Sequence, residues 1–80
     1  MRGQAQVERA RRNHRLIDAR VAKGWSQPKL AHRAKCAIGT INQAETGRRV
    51  PIELTQERIA RALGVERAWL FADEAYEEAS

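Results

Sequence analysis

The chain is 80 residues long, with a net charge of +5, 31% charged residues and one cysteine. That length makes one small domain with a modest core. A single thiol excludes an internal disulfide, Cys36 with two distant histidines is too poor a set for a metal, and no stretch approaches the ~20 apolar residues that cross a bilayer. The charge is unevenly spread: residues 1–50 hold twelve Lys/Arg against three Asp/Glu, and residues 51–80 hold three against seven. A basic half of this kind suits phosphate, because neutralising phosphates releases condensed counterions.

Residues 1–5, with Gly3 and no apolar anchor, read as a disordered basic arm. From about Gln6 to Ala22 the residues are good helix formers without proline, and Gly24 stands just past the end, so the spacing predicts a long first helix. Along it Val7, Ala10, His14, Ile17 and Val21 make a heptad-like stripe. Its cover is either the C-terminal tail folded back, which is the preferred reading, or a second subunit. Trp25 belongs at the core or its edge.

Ser26 is a good N-cap and Pro28 falls where a helix has no N–H to lose, so a second helix starts at about Gln27. Leu30, Ala31 and Ala34 form its packing side. The break at Lys35-Cys36-Ala37 leads to a third helix, with Ile41, Ala44 and Glu45 inward and Ile38, Gly39, Asn42, Gln43 and Thr46 outward. Gly47 ends it as a left-handed C-cap. Cys36 reads as a small apolar residue at the turn. Two departures stand out: Ala37 forgoes a capping side chain, worth about 1 kcal/mol, and Lys35 would be strained by about 1–2 kcal/mol in a left-handed turn.

The segment TGRRVPIE is a loop. A fourth helix is expected from Thr55 as N-cap to Gly64, burying Ile59, Ala60 and Leu63, and a fifth from about Glu66 carrying Trp69, Leu70 and Phe71. The closing DEAYEEAS is an acidic tail or a short helix capped by Asp73, with Tyr76 against the stripe on the first helix.

Two short helices joined by a three-residue turn form a helix-turn-helix unit. Around it, Arg20, Gly24, Ser26-Gln27, Leu30-Ala31, Ile41, Glu45-x-Gly47, Pro51, Ala60, Leu63-Gly64-Val65 and Trp69-Leu70 fall at the spacings of one family. The chain resembles the Cro and repressor type of helix-turn-helix protein, the xenobiotic-response-element (XRE) family, from roughly Leu16 to Phe71. The resemblance implies an all-α fold, a compact five-helix repressor-like domain, here with an extended N-terminal helix. It divides the chain into an arm at 1–5, a DNA-binding domain at 6–72 with its motif at 26–47, and a tail at 73–80. It also turns Leu16, Ala19 and Arg20 towards the core, pairs Arg20 with Glu45 as a structural ion pair, and implies an apolar residue where Gln56 stands, a packing that Ile52 or Leu54 is expected to supply.

For such a fold the second motif helix enters the major groove and reads bases near its N-terminus. The implied base contacts are Ile38, Gly39, Asn42 and Gln43. Gln43 leads, since glutamine pairs bidentately with adenine; Ile38 could meet a thymine methyl, and Gly39 admits a close backbone approach. Ser26, Gln27, Thr46, Arg48 and Arg49 are the implied contacts to the DNA backbone, with Gln27 also bracing the reading helix.

The reading that results is a sequence-specific regulator of transcription, similar to small phage Cro proteins, short phage repressors and controller proteins of restriction systems. It would bind double-stranded DNA at a palindromic operator as a homodimer, formed in solution or only on DNA, and repress by occlusion. The expected place is the cytoplasm, at the nucleoid of a bacterial or phage-infected cell. No cofactor, small-molecule ligand, membrane partner or catalytic role is expected. A protein-binding module, antitoxin-like, is the alternative, resting on the stripe of the first helix and the acidic tail.

Overall fold

In the computed structural model, which describes residues 11–78, side-chain N-caps start the first two helices and left-handed residues end the second, third and fourth. Helix α1 spans His14–Ala22, α2 Gln27–Ala34, α3 Ile38–Thr46, α4 Glu53–Leu63 and α5 Arg67–Leu70. Two short strands frame them, β1 at Arg11–Asn13 and β2 at Tyr76–Glu78, with a 3-10 turn at Asp73–Ala75 leading into β2. The strands pair antiparallel, Arg11 opposite Glu78, Arg12 opposite Glu77 and Asn13 opposite Tyr76.

Asn13 corrects the extended first helix. Its side-chain oxygen accepts from the Leu16 N–H at 2.9 Å and its amide donates to the Leu70 carbonyl at 3.1 Å, with the residue fully buried. An asparagine held in that way is an N-cap with an extended backbone. The helix therefore starts at His14, and Arg11 and Arg12, helix formers by propensity, lie in a strand. The expected arm at 1–5, and Val7 and Ala10 of the stripe, lie outside the described residues. Within them, Ile17 is half-buried and Val21 is exposed. The C-terminal turn and β2 pack on α1.

Two further boundaries and one packing contact differ from expectation. Helix α4 begins at Glu53 after an Ile52 cap position, one turn before Thr55. Gln56 explains this, since its side chain donates to the Pro51 carbonyl at 2.7 Å and accepts from Arg67 Nη1 at 3.2 Å. Ile52 and Leu54 do not take over the packing expected of them, being 72% and 57% exposed. At the C-terminus Asp73 begins a 3-10 turn with no side-chain cap, and the residues after it form a strand, not a helix or a free tail.

The core joins all five helices through Leu16, Leu30, Ile41, Ile59, Leu63 and Leu70, with Ala31, Ala34, Ala44 and Ala60 letting the helices approach closely. Trp25, Cys36, Val65 and Phe71 close its rim. Burial pushes the Cys36 thiol up from its ordinary value, opposed by the Arg58 charge. Trp69 lies at the surface, with Arg15 stacked over its ring at 4.9 Å and bonded to its carbonyl at 2.7 Å. Among the described residues, no helix is long and apolar enough to cross a membrane.

Candidate nucleic-acid interface

The turn between α2 and α3 aims the outer face of α3 at solvent. Ser26 Oγ accepts from the Lys29 N–H at 3.2 Å and starts α2. Lys35 ends it in the left-handed region, φ 59 and ψ 48, with its N–H on the His32 carbonyl. Ala37 then opens α3 without a side-chain cap. With a lysine in place of a glycine and an uncapped N-terminus, this turn is held by the Cys36 N–H on the Ala31 carbonyl at 3.0 Å and by the packing of Leu30, Ala34 and Ile41 beneath it.

Once α3 is so placed, Ile41, Ala44 and Glu45 are buried and Ile38, Gly39, Asn42 and Gln43 lie together on the exposed side. Ile38 is 52% exposed at the first turn, where a branched apolar group has no core role. Thr46 is half-buried, its hydroxyl turned back to donate to the Asn42 carbonyl at 2.9 Å. Arg48 and Arg49 follow Gly47, both exposed, with backbone N–H groups on the Gln43 carbonyl at 3.0 and 3.3 Å. Beside Gln43 a cleft of about 220 Å³ runs between α3 and the loop to α4, lined by Thr40, Gln43, Arg49, Val50, Pro51, Ile52 and Thr55.

Behind this face lies a polar network. Arg20 Nε donates to Glu45 Oε2 at 2.6 Å and Nη2 to Oε1 at 3.2 Å, while Nη1 donates to the Trp25 carbonyl at 2.8 Å. The side chains are 16% and 5% exposed. Gln27 Nε2 adds a third donor to the carboxylate at 3.0 Å, and Gln27 Oε1 faces Asn42 Nδ2 at 3.5 Å. Gln27 thus lies under the reading face with its polar atoms turned to protein partners. Among the described residues no cluster of three or more His, Cys, Asp or Glu could hold a metal.

Sequence reasoning missed the strand that closes over the end of α3. Gly47, at φ 76, has the Arg11 carbonyl where a Cβ would stand, 1.5 Å from its ideal position. The signal was present at Asn13, a capping residue three before Leu16, but strong helix formers on either side masked it.

These features can be set beside known proteins. A family model described as a helix-turn-helix domain matches residues 9–70. The chain is similar to the crystal structure of the restriction-modification controller protein C.AhdI from Aeromonas hydrophila, at 29% identity over 85% of this chain and 98% of that one, with a TM-score of 0.68. No curated protein matches.

Proposed function

The chain belongs to the helix-turn-helix domain family and is a DNA-binding regulator, and on that premise we propose that it binds an approximately palindromic operator as a homodimer and controls transcription by occluding a promoter. The observation that carries this reading is the exposed row of Ile38, Gly39, Asn42 and Gln43 on α3, flanked by the exposed cations of Arg48 and Arg49. A two-fold pair of such helices, spaced about 34 Å apart, meets successive major grooves on one side of the duplex. Gln43 and Asn42 are the base readers, with Ile38 against a thymine methyl and Gly39 at the backbone. Arg48 and Arg49 hold phosphates, joined by Ser26 and Thr46, while Gln27 braces the reading helix from beneath. The protein acts by binding alone, without catalysis, in the bacterial or phage-infected cytoplasm. Control of a restriction-modification system, the role of the similar protein C.AhdI, is one physiological setting of the same chemistry.

Enrichment of random duplex DNA on the purified protein at near-physiological salt tests this. An inverted repeat with half-sites about one helical turn apart is expected. Arg48→Ala with Arg49→Ala should weaken binding to all sequences alike and reduce the salt slope by about two. Failure to enrich any motif, or an unchanged slope, would refute the assignment.

A further inference from the structure

The network behind α3 carries chemical direction. Glu45 is paired to the Arg20 guanidinium, so its carboxylate only accepts hydrogen bonds, and Gln27 can approach it at 3.0 Å only with its amide nitrogen. The other orientation would set two oxygen acceptors against each other. The Gln27 oxygen is therefore turned outward, where it meets the amide nitrogen of Asn42 at 3.5 Å. That contact is long and contributes orientation more than strength. It still decides which end of Asn42 faces away from the protein, because the reverse orientation would again oppose two oxygens.

We infer that Glu45, acting through Gln27, fixes Asn42 with its carbonyl oxygen towards the groove, so that Asn42 selects a base bearing an exocyclic amino group. The inference rests on α3 being the DNA-reading helix. In the major groove adenine offers N6 and cytosine N4 as donors, whereas guanine O6 and thymine O4 are acceptors. An outward oxygen accepts from the first pair and is repelled by the second. On the contacted strand the position under Asn42 is thus amino over keto, A or C over G or T. Gln27 and Glu45 are positioning residues that set a specificity they do not themselves read.

The experiment is enrichment of random duplex DNA on the intact protein and on three variants, each first checked for an unchanged helical circular dichroism spectrum. The wild type should show one half-site position with amino bases over keto bases by on the order of tenfold, and Asn42→Ala should abolish the preference at that position only. Gln27→Met removes the orienting oxygen and should bring the ratio towards one while the other positions stay enriched. Gln27→Lys still donates to Glu45 but now offers a donor to Asn42, and should invert the preference to keto bases. A folding-only role for Gln27 predicts a uniform loss across positions instead. A wild-type motif whose Asn42-dependent position favours G or T, or keeps its preference in both Gln27 variants, overturns the relay while leaving DNA reading intact. Absence of any wild-type motif overturns the DNA-reading premise and the relay with it.

Discussion

Deleting one partner of the Arg20–Glu45 pair should cost far more than deleting both. Glu45 receives three donors, two from Arg20 and one from Gln27, in a site where its side chain is 5% exposed. Glu45→Met leaves the Arg20 cation with only the Trp25 carbonyl, and Arg20→Met leaves the carboxylate with only Gln27. Removing one member of a buried pair costs about 3–5 kcal/mol. Since Arg20 keeps 16% of its side chain in water, about 3 kcal/mol is expected for each single variant. A domain of this size gains only about 4–12 kcal/mol on folding, and each kcal/mol moves the midpoint by about 4–8 °C. The singles should therefore melt roughly 12–24 °C below the wild type. In the double variant two methionines fill the space without an unpaired charge, and the loss should be smaller than that of either single variant, short of the sum by more than about 3 kcal/mol. Thermal and urea unfolding followed by circular dichroism and tryptophan fluorescence would measure all four corners of this cycle. Single losses below about 1 kcal/mol, the range of a solvated surface pair, or strictly additive losses, would refute the account of a buried network.

Other expectations follow from particular residues. Lys35→Gly relieves a left-handed backbone and should stabilise the protein by about 1 kcal/mol in urea unfolding; equal or lower stability would mean the lysine is unstrained there. Gly47→Ala places a methyl on the Arg11 carbonyl and should destabilise by more than the ~1–2 kcal/mol of the left-handed backbone alone, with faster amide exchange in β1; a smaller loss would show that the strand moves aside freely. Among the described residues the Tyr76 hydroxyl is buried without a hydrogen-bond partner, while Asn13 nearby is committed to Leu16 and Leu70. Tyr76→Phe should therefore be neutral or stabilising by up to about 1 kcal/mol. Burial raises the Tyr76 phenol above its ordinary value of 10, against smaller opposing effects of Asn13 and Arg11. Its stabilisation is complete below pH 10, is lost as pH rises towards the folded-state value, and should leave the Phe variant with a flatter alkaline stability profile; an identical profile would sink that attribution.

The motif was legible because its determinants are local. Ser26, Pro28 and Gly47 each act on the backbone within one turn, and the apolar spacings of α2 and α3 point one way only. The start of α4 was displaced by a single side chain, Gln56, reaching back to Pro51. The strand at Arg11–Asn13 was hidden for a different reason. It depends on residues near the other end of the chain, and a stretch rich in Arg, Ala and Gln satisfies a helical pattern when read alone. Reading the face of α3 from its period likewise gave Asn42 and Gln43 but not the direction of the amide at Asn42. That direction follows from which atom of Gln27 meets Glu45, a contact across 18 residues.

Pairing β1 with β2 joins backbones some 65 residues apart, and this bears on the order of folding. Closing so long a loop costs conformational entropy that no local contact repays, whereas α2, the turn and α3 are neighbours in sequence. The helices should assemble first and the ribbon should zip last, then open first in native-state hydrogen exchange, well below the free energy of global unfolding. Because the Arg11 carbonyl rests against Gly47, each such opening also unseats the far end of the reading helix. The pairing expected to form last is thus the one that secures the helix where Arg48 and Arg49 begin.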